Sequence, residues 1–185
     1  MIETERLVLR LPVEEDVPAI IDFYASNRAH LEPWSPAWPT TFLAADYWSD
    51  QVAARWAEHR AGHGLRTFIL QRTDMRLVGN ISLTQIERGP GQYCVMGYGL
   101  AESAQGRGYM VEAVRAMVAH AFGVLGLHRV TANYMPHNVR SAAVLRAAGF
   151  MVEGYARDYL LINGRWEDHI LTAISNPDWS AGKGP

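Results

Sequence analysis

Hydrophobic residues change their spacing several times along the chain, and each change marks a predicted element. From Arg6 to Leu11, Arg6, Val8 and Arg10 alternate with Leu7, Leu9 and Leu11, the two-residue period of a half-buried strand that Pro12 ends. Val17, Ile20, Ile21 and Tyr24 then fall at helical spacing, between an acidic first turn at Glu14 to Asp16 and a polar end at Asn27 and Arg28. His30 to Thr41 holds Pro33, Pro36, Pro39, Trp34 and Trp38, a composition that excludes regular helix but is too aromatic for an idle linker. It is expected either to wall a substrate site or to plug the end of the core. A second helix is predicted from Phe42 to Arg60, capped by Thr41 and burying Trp48, Val52 and Trp56.

Strand character returns in Leu65 to Arg72, Leu77 to Ile86 and Gln92 to Leu100, with hairpin-length gaps between them. The last of these carries Gly97 and Gly99 around Tyr98, which calls for a bulge or a close approach of another backbone. Beyond Met110, Val111, Val114, Val118, Ala121, Phe122 and Leu125 mark one helix face ending near Gly126. Arg129 to Tyr134 reads as a strand, and Asn138 as the cap of a short helix with Val144, Leu145 and Ala148 facing inward and Gly149 at its end. Asn163-Gly164 joins Phe150 to Ile162 with Arg165 to Ile174 in a closing hairpin, and the chain from Asn176 is expected to be loose.

Composition narrows the class. With 185 residues, 49% of them hydrophobic, the chain suits one core, expected over residues 1–175 with a tail at 176–185. A net charge of -2 gives no broad field for nucleic acid. The single cysteine, Cys94, excludes an internal disulfide and fits a reducing compartment. Charges at Glu3, Glu5, Arg6 and Arg10 do not resemble a signal peptide, and the apolar run Ala116 to Leu127 is too short to span a bilayer. The expected location is cytoplasmic, with no membrane partner.

The stretch with chemistry in it is Gln105-Gly106-Arg107-Gly108-Tyr109-Met110, set between a strand and a helix. Two glycines one residue apart free the backbone to point successive N–H groups outward at the positive end of a helix, a setting for phosphate; the alternative is a turn that only starts the helix. A dinucleotide fingerprint needs a third glycine where Val111 stands, and a Walker loop needs Gly-Lys-Ser/Thr; neither is present. His59 and His63 share a helical face, but no glutamate follows His59 and no third ligand is evident, so no metal is expected.

The element order and the turn resemble those of the Gcn5-related N-acetyltransferases. Gln105 to Tyr109 follows that family's signature, and Met110 departs from it at a place usually small. A second family element is matched by Asn138, Ser141 and Gly149-Phe150. Ala132 to Asn138, Glu153 to Ala156, Asp158 to Ile162, Trp166, Asp168-His169, Asn176 to Trp179, Thr4 to Leu7 and Leu31 to Trp34 resemble the RimJ branch, which acetylates the N-terminal alanine of a small-subunit ribosomal protein.

The resemblance implies an α+β fold, a three-layer α/β/α domain whose mixed, mostly antiparallel sheet splays at its fourth strand. It implies acetyl-CoA as co-substrate, its pantetheine arm along Tyr98, Gly99 and Leu100, its pyrophosphate on Gln105, Gly106, Arg107, Gly108, Tyr109 and Met110, with Asn138 and Ser141 beside it. A backbone N–H near Gly99 or Leu100 would face the thioester oxygen in a tetrahedral intermediate. Glu153 is the candidate base, or else a strand glutamate pairing with Arg157; Ser141 or Tyr134 would assist the departing thiolate. His137, Asp158 and His169 are weaker candidates. The implied partner is a ribosomal protein N-terminus, with contact to the ribosome or an assembly intermediate, in a monomer or homodimer. Acetylation of a small amine, or ribosome-assembly binding with little transferase activity, are the competing readings.

Overall fold

Eight strands form one sheet in the computed structural model, which describes residues 1–180. Its strands are β1 (Ile2–Glu3), β2 (Leu7–Arg10), β3 (Leu65–Gln71), β4 (Leu77–Glu87), β5 (Tyr93–Leu100), β6 (Arg129–Tyr134), β7 (Met151–Ile162) and β8 (Arg165–Ser175). They lie in the order β1-β2-β3-β4-β5-β6-β8-β7, and only β5 and β6 are parallel. Helices α1 (Val17–Ser26), α2 (Arg28–Leu31) and α3 (Ala45–Arg60) precede β3, α4 (Tyr109–Gly123) lies between β5 and β6, and α5 (Val139–Ala148) between β6 and β7.

Alternation along the strands sends side chains to two cores. On one face Phe68 and Leu70 pack with Val17, Ile20, Trp48 and Val52 of α1 and α3. On the other, Ile69, Ile81, Leu83 and Met96 pack with Met110, Ala113, Val114, Met117, Val118 and Ala121 of α4. The α+β, three-layer architecture expected from the sequence is the one observed.

Several elements differ from the sequence reading. The tryptophan loop is not free of helix, because α2 runs into it ahead of Pro33 and a 3-10 turn at Glu32–Trp34 carries Pro33 in its first turn, where a missing N–H costs nothing. Helix α3 starts at Ala45 without a side-chain cap; the preceding residues wrap under Trp48, whose indole N–H donates to the Phe42 carbonyl at 2.7 Å. Thr41 is therefore not the cap. Trp56 lies at the rim with its N–H on the Pro12 carbonyl at 2.8 Å, and the inward positions run Trp48, Val52, Arg55. The buried stripe of α4 is rotated toward Met110, which is 6% exposed, while Val111 is only half-buried. The tail is held at its start: the Trp179 indole N–H donates to the Gly126 carbonyl at 3.0 Å, and its ring meets His128 edge-on.

No bulge interrupts β5 at Gly97 or Gly99; both pair regularly, with Ser82 and Asn80, and the irregularity of this hairpin lies at Thr84/Glu87, where Gln85 has a φ of 50°. The close backbone approach comes from β4 instead. A Cβ on Gly79 would sit 2.5 Å from the Gly99 carbonyl oxygen. Gly79→Ala is accordingly expected to destabilise the protein by about 2 kcal/mol through forced separation of β4 and β5, as read by urea unfolding; wild-type stability would show that the strands separate at no cost.

Candidate functional site

Strand β5 keeps its partner β6 only from Tyr93 to Val95, opposite Arg129 to Thr131, and then parts from it. Each strand can leave because its other edge is occupied, β5 by β4 and β6 by β8 along its whole length. The Ala101 N–H donates to the Val78 carbonyl at 2.8 Å. Since antiparallel ladders alternate, Gly99 and Gly97 also bond toward β4, and Met96, Tyr98 and Leu100 turn their N–H and C=O groups into the opening. Of the two N–H groups named from the sequence, Leu100 supplies the free one.

Beyond β5 the chain reaches the glycine turn. Gly106 and Gly108 have φ of 73° and 77°, and Gly108 is the residue from which α4 starts. Among the described residues, the N–H groups of Gly106 to Met110 donate to no protein acceptor, which leaves a cradle of free donors at the helix terminus, a setting suited to an anion. The cradle is braced from β2's approach. Arg6 donates to Glu112 (Nε–Oε2 2.7 Å) and to the Arg107 carbonyl (2.9 Å), and its guanidinium lies over the Tyr109 ring. Thr4 donates its hydroxyl to Glu112 at 2.6 Å. Burial opposes ionisation of Glu112, but the hydrogen bonds from Thr4 and Arg6 hold its carboxyl below the usual range. Gln71 donates to the Tyr109 hydroxyl at 2.9 Å, and Gln105 is tied to His30 at 2.8 Å. Met110 contributes backbone here; its side chain belongs to the core, which is why a large residue is accommodated.

On the same face the Tyr98 hydroxyl meets the Ser141 hydroxyl at 2.8 Å, and Asn138 accepts from the Ser141 N–H at 3.0 Å while capping α5. Burial pushes the Tyr98 phenol up to about 12, so it stays neutral. Tyr134, at the end of β6, is close enough to Tyr98 to influence it. Tyr98, Tyr134, Asn138 and Ser141 are thus brought together beside the opening. Cys94 is a buried core thiol, also pushed up to about 12.

Glu153 is not among them. Its carboxylate is paired with Arg129 at the closed end of β5 and β6, not with Arg157. In the order β5-β6-β8-β7, three interstrand spacings, about 14 Å, separate its strand from β5. His169 is buried with Nδ1 near the Glu167 carbonyl, and Asp158 donates its N–H to Asp168. His137 packs against Trp34 with the rings tilted and their centroids 5.3 Å apart.

The opposite face of β5 is open. A cleft of about 390 Å³ lies under the tryptophan loop and is lined by Tyr24, Trp38, Arg55, Asn80, Tyr98 and Gly99 among others. Gly97 and Gly99 direct no side chain into it, so bare backbone is reachable from this side opposite the cradle. The hairpin tip closes one flank, with the Asn163 N–H on the Ser35 carbonyl at 2.9 Å. Sequence reading missed Arg55 and Asn80; the inward i, i+4, i+7 spacing of Trp48, Val52 and Arg55 was the available signal. Among the described residues there is no cluster of metal-ligating side chains and no helix long and apolar enough to cross a membrane.

Residues 6–151 match the acetyltransferase (GNAT) domain family. The chain is 37% identical over 180 residues to the [Ribosomal protein uS5]-alanine N-acetyltransferase of Escherichia coli, covering 97% of this chain and 93% of that one. Among solved structures, the ribosomal-protein-S5-alanine acetyltransferase from Vibrio fischeri superposes with a TM-score of 0.90 at 35% identity, covering 96% and 97% of the two chains. Mycobacterium smegmatis RimJ in complex with CoA-disulfide gives 0.86 at 31%, covering 91% of this chain and 81% of that one.

The brace has a defined pH dependence. A carboxyl held low stabilises the fold above its unfolded value, about 4.3, and loses that contribution as pH falls through its lower folded value. Glu112→Gln is expected to cost on the order of 1 kcal/mol at pH 7, with the gap to wild type closing below about pH 4. Urea unfolding across pH 3 to 7 checks this, and a gap independent of pH would refute it.

Proposed function

Because the chain belongs to the GNAT acetyltransferase family, we propose that it transfers acetyl from acetyl-CoA to the N-terminal α-amine, alanine by preference, of a ribosomal protein. The observation that carries this reading is the near full-length similarity to uS5-alanine N-acetyltransferases, joined to a cleft that reaches bare β5 backbone opposite the anion cradle.

Acetyl-CoA supplies the activated thioester. Met96, Tyr98 and Leu100 offer their free backbone groups to its pantetheine arm as an added strand would, and Gly106 to Met110 present their N–H groups to its pyrophosphate. The Leu100 N–H stabilises charge developing on the carbonyl oxygen, a contribution of about 3 kcal/mol for one such donor. The hydrogen-bonded Tyr98 and Ser141 hydroxyls, with Tyr134 beside them, supply neutral donors to the departing thiolate, whose thiol has a pKa of about 8.5.

An α-amine of pKa about 8 is partly neutral near pH 7, so a strong base is unnecessary. Among the described residues no carboxylate or imidazole lines the cleft, and the proton passes to solvent through its mouth. Glu153 then serves as Arg129's partner rather than as the base. The same lining, with no acid among the described residues and with Arg66 but not Arg55 paired to a carboxylate, disfavours polyamines, because a polycation would meet the charge of Arg55.

An acetylation assay with an alanine-initiated ribosomal-protein peptide against polyamines and aminoglycosides tests the acceptor. The peptide is expected to be turned over, with kcat/KM rising about tenfold per pH unit below the amine's pKa of about 8, and Glu153→Gln should follow the same curve. Turnover of small amines alone would overturn the acceptor, and a tenfold loss in Glu153→Gln would return the base role to it. Gly108→Asp places a negative side chain in the cradle and is expected to abolish acetyl-CoA binding by calorimetry; undiminished affinity would displace the pyrophosphate from this turn.

A further inference from the structure

Arg55 is a half-buried cation with no anionic partner among the described residues. Helix α3 directs it inward in line with Trp48 and Val52, and its guanidinium carbon lies 5.3 Å from the Trp48 ring centroid and 4.9 Å from that of Phe68. Its Nε and Nη1 are buried and have no hydrogen-bond partner among the described residues. The Tyr24 hydroxyl favours its charge, but Arg66 opposes it, and burial is the largest influence, drawing the guanidinium below its ordinary value. An arginine nevertheless stays ionised at neutral pH.

Among the described residues no aspartate or glutamate lines the cleft to compensate that charge. The carboxylate of Glu58 is committed to Arg66, Nε to Oε2 at 2.6 Å. A buried unpaired charge is costly, and packing on two rings recovers only part of that cost. A carboxylate entering the cleft would meet the guanidinium at the edge by which Arg55 lines it, and would supply the counter-charge that the buried Nε and Nη1 lack.

Register places this group relative to the reacting end. Gly99 lies opposite Asn80, and Asn80 opposite Phe68, so Phe68 is two strand spacings, about 10 Å, from Gly99 on the same face. The Arg55 guanidinium sits over that Phe68 ring. An extended peptide advances about 3.4 Å per residue, so an amine held over Gly99 would bring the side chain of its second or third residue to Arg55.

We propose that the cleft contains a carboxylate subsite with Arg55 as its binding group, and that it selects acceptors with an acidic side chain at the second or third residue. This rests on the reading of the cleft as the acceptor site, and the test separates the two. Alanine-initiated peptides with Glu at either position are expected to exceed their Gln counterparts about tenfold in kcat/KM, and the ratio to fall to about one in Arg55→Met and to partial preference in Arg55→Lys. The melting temperature of Arg55→Met should match or exceed that of wild type, since an uncompensated charge is removed; a residue needed only for packing would lower it and weaken both peptides alike.

Calorimetry in the presence of CoA supplies an arm independent of turnover, using acetyl-Ala-Glu-amide, acetyl-Ala-Gln-amide, N-acetylalanine and N-acetylalanine amide. Tighter binding of the Glu compound, lost in Arg55→Met, supports the subsite even if no peptide is acetylated, in which case the function reading alone fails. Tighter binding of N-acetylalanine than of the Glu compound would assign the carboxylate to a small amino acid and overturn the peptide selection. Equal binding of all probes, or a Glu preference that survives Arg55→Met, would overturn the subsite.

Discussion

A parallel strand pair that stops pairing after Val95 and Thr131 governs this molecule. Backbone N–H and C=O groups are costly to leave without partners inside a protein, so such a separation opens an edge that water, another chain or a ligand has to satisfy. The rest of the sheet makes the separation affordable in structural terms, since β4 holds β5 and β8 holds β6 up to the end of the opening. Helix α4 then starts where β5 has turned away, setting the cradle of Gly106 to Met110 beside the unpaired edge. Strand edge and helix terminus are two forms of the same unsatisfied backbone, and together they suit a thioester arm and its pyrophosphate.

The two faces of β5 have different chemistry. On the α4 and α5 face the polar groups are neutral hydroxyls and backbone, braced by the ion pair of Arg6 with Glu112. On the other face, Gly97 and Gly99 leave backbone exposed beneath an aromatic wall in which Tyr24, Trp38, Phe42 and Trp48 contact one another edge-on or stacked. Acetyl donor and acceptor can therefore approach one strand from opposite sides without competing for space. An aromatic wall with arginines and no carboxylates also favours the neutral form of an arriving amine, the form that attacks.

Much of this was legible in the chain. Strands β6 and β8, the Asn163-Gly164 turn, the Asn138 cap and the glycine turn carry short-range signals in alternation, turn chemistry and side-chain capping, and each lies where its signal placed it. Errors fell where tertiary packing decides. Trp56 is as apolar as Trp48, yet α3 turns Arg55 inward and leaves Trp56 at the rim. Trp179 follows the last strand and looked free, but a carbonyl at Gly126 and the ring of His128 hold it.

By itself, the sequence determined the order and type of the longer elements and the phosphate-suited turn, because these rest on contacts between residues near in the chain, and its motifs pointed to the family. Only the tertiary structure decided which face each side chain occupies and which of them meet. It paired Glu153 with Arg129, three strands from β5, joined Tyr98 to Ser141 across 43 positions of chain, and left the Leu100 N–H facing the opening through the register of β4. It also set Arg55 against Trp48 and Phe68 with no acid lining the cleft among the described residues, a pairing of α3 with β3 that the helical spacing of Arg55 could not supply by itself.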